Sequence, residues 1–216
     1  MQTLIPFRDV SAPLNILCLG AHSDDIEIGC GGTILRLAEQ YPNCTLHWIV
    51  FSASGVRAAE ALRAAAMFAG ATAIKGPVLK DFRDGFMPFL GAELKEAFED
   101  LKPISPDIIF THTRQDAHQD HRLIAELTWN TFRDHLILEY EIPKYDGDLG
   151  QPNLFVSLES EDYQKKVRYL MDAFVSQHAK KWFREETFLS LMRLRGMECN
   201  ARSGYAEAFY CRKSVL

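Results

Sequence analysis

Apolar and polar positions along the chain fall into short, nearly uninterrupted apolar runs separated by longer stretches of helical period. Leu14-Asn15-Ile16-Leu17-Cys18-Leu19-Gly20 is the first run, stopped by a glycine, and it predicts a fully buried strand. Thr45 to Phe51, rich in β-branched and aromatic residues, and Pro106 to Thr111 predict two more, with a weaker strand over Ala73 to Leu79. Between them, Gly32 to Tyr41, Val56 to Gly70, Ala92 to Leu101 and Asp120 to Asp134 carry apolar residues at helical spacing. Gly31-Gly32-Thr33 opens the first helix, Pro42-Asn43 closes it, and Gly70 stops the second. Phe82-Arg83-Asp84-Gly85 shows no period. Strands alternating with helices define an α/β class with a mostly parallel sheet.

From Leu136 the rhythm changes. Leu138 to Pro143 alternates like an edge strand and ends on a proline. Asp146 to Asn153, full of glycine, aspartate and proline, predicts a loop, whose apolar residues up to Phe155 would serve as a substrate wall or a subunit contact. Two helices follow, Asp162 to Ser176 and Arg184 to Leu194, and Tyr205 to Arg212 returns as a last strand. No repeat or linker divides the 216 residues, so one domain is expected over 1–216, the part from 136 to 216 packing on or extending the core.

Composition acts mainly by exclusion. A chain 47% hydrophobic and 25% charged is not disordered, and a net charge of −5 disfavours a nucleic-acid partner. Lys165-Lys166 to Arg168 and Lys180-Lys181 to Arg184 therefore read as solvated helix faces. The five cysteines show no C-x-x-C, which points to a reducing compartment with thiols used in packing. Arg8 and Asp9 precede a short apolar run without a signal-peptide layout, and no apolar run is long enough to span a bilayer. A cytoplasmic location is the expectation, and a homo-oligomer stays open.

Candidate chemistry begins where the first strand ends. Gly20-Ala21-His22-Ser23-Asp24-Asp25-Ile26-Glu27 puts an imidazole and adjacent carboxylates at the carboxyl edge of a sheet, where open α/β sheets bind ligands. Taken alone, the pair would read as a capped turn with Asp24 or Asp25 as N-cap. A second cluster, His112-Thr113-Arg114-Gln115-Asp116-Ala117-His118-Gln119-Asp120-His121-Arg122, follows the strand ending at Thr111. If the two strands are neighbours, both clusters share one cleft, and His118 and His121 project from one face of a helical first turn. Two side-by-side acids are costly to bury without a cation. His22, one aspartate of the pair and one histidine of the second cluster make a three-ligand site with a fourth position open to water, the catalytic rather than the structural pattern for zinc. The spare aspartate can take a proton from water, and the spare histidine can stabilise an oxyanion or protonate a leaving group. These roles describe hydrolysis of an amide or ester.

Ala21-His22-Ser23-Asp24-Asp25, with Glu27 and Gly29-Cys30-Gly31-Gly32-Thr33 behind it, resembles the AHPDDE-x-G-x-GG-T motif of the PIG-L/LmbE-type zinc-dependent N-deacetylases. Asp116-x-His118-x-Asp120-His121-Arg122 is similar to the D-x-H-x-D-H-R motif of that family. Arg57-x-x-Glu60 resembles its R-x-x-E helix start, Phe82 with Asp84-Gly85 its substrate loop, and Ser176-Gln177 and Tyr205-Ala206-Glu207-x-Phe209 its C-terminal markers. The resemblance implies a Rossmann-like three-layer fold and one bound divalent metal, usually zinc, with Fe2+ as another candidate. It implies removal of an N-acetyl group from an amino sugar of the N-acetylglucosamine type or its conjugate. Carried over by position, His22, Asp25 and His121 would be metal ligands, Asp24 the general base and His118 the stabiliser of the tetrahedral intermediate. Asp120 would orient a histidine, and Arg57 and Asp84 would touch the substrate. Ser23 stands where the family has proline, and the segment from Ser52 to Arg57 is short, which bears on the substrate more than on the chemistry.

Three rivals weigh less. A nucleotide-binding module would need G-x-G-x-x-G after the first strand and an acid after the second, and neither is present. A non-catalytic glycan-binding relative would have lost a ligand or the base, and none is missing. An amidase acting on a non-sugar substrate would use the same residues.

Overall fold

The computed structural model describes residues 11–214, so the reading of Arg8 and Asp9 lies outside the described residues. The strands are β1 (Leu14–His22), β2 (Cys44–Ser52), β3 (Ala73–Leu79), β4 (Ile108–His112), β5 (Leu136–Tyr140), β6 (Leu154–Ser157) and β7 (Ala206–Cys211). The α-helices are α1 (Asp25–Gln40), α2 (Gly55–Ala69), α3 (Gly91–Glu99), α4 (Gln119–Thr131), α5 (Ser160–Ala173) and α6 (Glu185–Glu198). One sheet runs in the order β3-β2-β1-β4-β5-β7-β6. Strands β1 to β5 pair in parallel, and β7 is antiparallel to both β5 and β6.

Alternate side chains of each strand enter different layers, as the two-residue period of a strand requires. Ile16, Cys18, Trp48, Val50 and Phe110 pack under α1, α2, α5 and α6. Leu17, Leu19, Ile49, Phe51 and Ile109 face α3, α4 and the 3-10 turn Met87–Leu90. The result is a three-layer α/β fold with a mostly parallel centre. Among the described residues no helix is long and apolar enough to cross a membrane.

Three sequence expectations fail locally. Leu138 to Pro143 is not an edge strand: β5 lies inside the sheet between β4 and β7, because β7 returns beside it. The alternating Glu139 is fully buried and neutralised by Arg212, a partner remote in sequence. The first helix opens at Asp25 rather than at Gly31-Gly32-Thr33, with a break inside it at Cys30 (φ −141°, ψ 15°). Lys166 is not solvated; it is 2% exposed and supports that break, whereas Arg168, Lys180, Lys181 and Arg184 are exposed.

The break lies in a tightly packed stretch of α1: a Cβ on Gly29 would stand 2.2 Å from the Tyr140 ring of β5, and one on Gly31 2.4 Å from Phe68 of α2. Interrupting the helix parts the Ile28 carbonyl from the Gly32 amide, and both need new partners in a dry interior. Lys166 Nζ donates to Ile28 O (2.6 Å), and Glu207 accepts from the Gly32 and Thr33 amides (2.8 and 2.6 Å). Lys166 and Glu207 pair at 2.6 Å, so neither charge is buried alone.

Gly29→Ala should therefore force the first turns of α1 off β5. Overpacking of this kind costs about 2–3 kcal/mol, a fall in Tm of roughly 5–10 °C by calorimetry. An unchanged Tm would show that Tyr140 can move aside freely.

Candidate metal centre

Strand order reverses at β1: the chain goes from β1 outward to β2 and β3, then returns to place β4 on the other side of β1. Ligand clefts of open α/β sheets form at such a switch point. The carboxyl ends of β1 and β4 there deliver His22 and His112, and the following turns deliver Asp24, Asp25, Asp116, His118, Asp120 and His121. Asp24 sits at the N-cap position of α1 but makes no side-chain cap bond, so the capped-turn reading does not account for it. His118 is the N-cap of α4, and His121 in the first turn stacks on it with ring centroids 4.6 Å apart.

Three donor atoms converge. His22 Nδ1 lies 3.1 Å from His121 Nε2, and Asp25 Oδ2 lies 3.3 and 3.5 Å from these two nitrogens. Ligands at about 2.0–2.1 Å from a tetrahedral zinc ion stand about 3.3–3.4 Å apart, so this triangle fits one such ion. The tautomers fit as well. Buried Asp116 accepts from His121 Nδ1 at 2.9 Å, which leaves the Nε2 lone pair facing the triangle. Asp84 Oδ1 and Asp120 Oδ2 lie 3.0 and 3.3 Å from His22 Nε2, which assigns the proton there and turns the Nδ1 lone pair inward. Asp120 is itself held by the Gly85 and Met87 amides (2.7 and 3.2 Å).

A grouping of His22, His118 and His121 shares two members of this triangle, and two further groupings overlap it: Asp25, His112 and His121, and His22, Asp84, His118 and Asp120. In the former, His112 Nε2 is already engaged, 3.0 Å from the Ala21 amide nitrogen and 3.1 Å from Asp25 Oδ2. His112 instead stacks on His121 (3.9 Å between ring centroids) and backs Asp25 at 3.1 Å. In the latter, His118 Nδ1 accepts the Asp120 amide (3.3 Å), which puts a neutral ring's proton on Nε2 as a donor.

Electrostatics separate the neighbouring acids. Burial pushes the Asp25 carboxyl up, but His121, His112 and His22 outweigh it and hold it well below the ordinary range. Burial keeps Asp24 above that range, while Arg57 Nη2, 2.6 Å from its Oδ1, pulls the other way. Burial, followed by the charges of His121 and His22, lowers His118 and favours its neutral ring. Burial also depresses His22, yet Asp25, Asp120 and Asp84 overcome it and leave the metal-free ring well above the usual histidine range.

All eight residues singled out from the sequence meet here: His22, Asp24, Asp25, Arg57, Asp84, His118, Asp120 and His121. Asp120 faces His22, and Arg57 reaches Asp24 rather than standing free in the cleft. Four supporting residues carry no sign of their role in the sequence. Asp116 lies in the second motif but received no role; it fixes His121 and is itself paired with Lys144 (3.0 Å). Lys144 carries no local signal, since its partner is a turn remote in sequence. His112 looked like one more histidine of its run. Buried Glu139 anchors the loop ahead of Asp116, accepting the Arg114 amide (3.3 Å), Trp129 Nε1 (2.7 Å) and Arg212 Nε (2.7 Å).

Fold and site together define an open-sheet α/β protein with a His/Asp cluster suited to a divalent ion at its switch point. Residues 17–132, more than half of the chain, match the sequence model of the PIG-L family, GlcNAc-PI de-N-acetylase, and the chain belongs to that family. Among solved structures it is similar to N,N'-diacetylchitobiose deacetylase from Pyrococcus horikoshii (TM-score 0.72, 19% identity, covering 90% of this chain and 82% of that one). It is also similar to the conserved protein TT1542 from Thermus thermophilus (0.72, 20% identity, 94% and 96% covered). GalB, the 4-carboxy-2-hydroxymuconate hydratase of Pseudomonas putida KT2440, shares the fold too (0.74, 18% identity, 94% and 98% covered).

Because neighbouring carboxylates raise the pKa of His22, a metal ion bound there competes with its proton. Acidification through the neutral range should weaken binding by about tenfold per pH unit, with about one proton released per ion. Calorimetric titration with zinc in buffers of different ionisation enthalpy measures both; pH-independent binding between 6 and 8 would remove His22 from the ligand set.

Proposed function

We propose that the protein is a metal-dependent hydrolase that removes the N-acetyl group from an amino sugar of the N-acetylglucosamine type or its conjugate. The observation that carries this reading is the donor triangle of His22, Asp25 and His121, flanked by a buried aspartate and an imidazole with one nitrogen left to donate. Membership of a de-N-acetylase family supports the substrate class. Because the fold also serves a hydratase, the fold alone does not choose the reaction.

A divalent ion, with zinc preferred for this nitrogen-rich set and Fe2+ as the other candidate, would polarise the acetyl carbonyl and lower the pKa of water toward ~7. Asp24 takes the proton of the attacking water. Burial raises its pKa and so strengthens it as a base, while Arg57 pulls the other way and favours the ionised form. His118 Nε2–H donates to the acetyl oxygen as negative charge develops there. Asp24 then passes its proton to the departing amine. Asp120 holds His22 in orientation and Asp116 holds His121. Asp84, exposed at the mouth, accepts from a sugar hydroxyl.

N-acetyl sugars, sugar nucleotides and thiol-cofactor glycosides incubated with zinc- or iron-loaded protein should identify a substrate by released acetate; acetate from none of them would sink the proposal. Asp24→Asn should keep the metal, by elemental analysis, and lose about 10²–10⁴ in kcat. His22→Ala should lose the metal. Near-normal turnover in Asp24→Asn would exclude Asp24 as the base.

A further inference from the structure

Arg57 is an unusual partner for a general base, because a long guanidinium side chain on a helix surface is free to swing away. Here it is held on three sides. Its Nη2 reaches Asp24 Oδ1 at 2.6 Å, its Nη1 reaches Glu60 Oε2 at 3.0 Å, and its Cζ lies 5.4 Å from the centroid of the Phe174 ring. Glu60, one turn along α2, is 3% exposed. Its carboxylate is in turn fixed by Ser176, whose amide donates to Oε1 (2.8 Å) and whose hydroxyl donates to Oε2 (2.7 Å). Ser176 belongs to the 3-10 turn Val175–Gln177 after α5, in the part of the chain outside the family match.

Resting on the reading given above, we propose that Ser176 and Glu60 form a clamp that aims Arg57 at Asp24, making Glu60, Ser176 and Arg57 positioning residues for the base. A charged, doubly bonded carboxylate has one orientation, and the guanidinium it grips has a fixed reach. With Oδ1 of Asp24 held on Arg57, the other carboxylate oxygen is the one that takes the proton. The segment following α5 thereby sets the geometry of a reacting group at the end of β1.

The clamp predicts a loss in kcat rather than in KM. Glu60→Gln keeps the size of the side chain but removes the negative charge that grips Arg57, and should lower kcat about tenfold with KM within about twofold. Ser176→Ala removes one of two bonds to Glu60 and should cost about two- to threefold. Arg57→Ala should be partly rescued by added guanidinium ion only while Glu60 is present, and Glu60→Gln should add nothing to Arg57→Ala. Zinc content and Tm of Glu60→Gln should stay at wild-type values. A rise in KM at unchanged kcat, or independent multiplying losses from Glu60 and Arg57, would overturn the clamp. A crystal structure of Glu60→Gln decides the matter without any assay: Arg57 displaced from Asp24 supports the clamp, and Arg57 still within hydrogen-bond distance of it refutes the proposal. Absence of acetate release by the wild-type protein would instead refute the functional reading.

Discussion

Asp25 occupies a position that is tolerable only because of what surrounds it. The residue is 3% exposed, and its Oδ2 takes the His22 amide (2.6 Å) while facing His22, His112 and His121. An isolated anion at that depth is strongly disfavoured, so the imidazoles around it are a condition of the local structure. Parallel pairing of β1 with β4 meets that condition, since it sets His22 beside the turn that carries His118 and His121.

Support for the site comes largely from the later half of the chain. Lys166 and Glu207 repair the break in α1 directly behind the Asp24–Asp25 turn. Tyr140 packs against Gly29 and donates its hydroxyl to Leu19 O (2.6 Å), tying β5 to the end of β1. Glu139 with Arg212, and Asp116 with Lys144, fix the loop of the second motif. The matched segment 17–132 supplies the donor atoms, and residues beyond it hold them in place.

Solved structures that share this fold at 18–20% identity include a deacetylase and a hydratase. A sheet that offers a cleft at its switch point can serve several reactions; the groups lining the cleft select among them. In this chain two aspartates adjacent in sequence line the cleft with opposite pKa shifts. Asp25 is pushed down by three histidines, and Asp24 is left up by burial. One acid is thus suited to hold a cation and its neighbour to carry a proton.

The parallel strands, most helices and the eight converging residues were legible in the sequence, because each depends on short-range pattern: apolar runs, helical spacing, and polar groups placed just after a strand. What the sequence could not show were relations between segments far apart in the chain. Leu138 to Pro143 alternates as an edge strand would, yet β7 covers it, and only the sheet order reveals this. Lys166 looks like one of several surface lysines until Glu207 stands 2.6 Å away. The glycines of the first motif read as a helix opening, and only the fold shows Tyr140 and Phe68 too near for a Cβ there. Asp116, Lys144, Glu60 and Ser176 acquire roles only through partners brought near by folding. Side-chain type and local spacing determined which chemistry could occur; the long-range packing of β7, α5 and the turn after it decided which atoms face one another, because hydrogen bonds and ion pairs depend on distances that no local pattern contains.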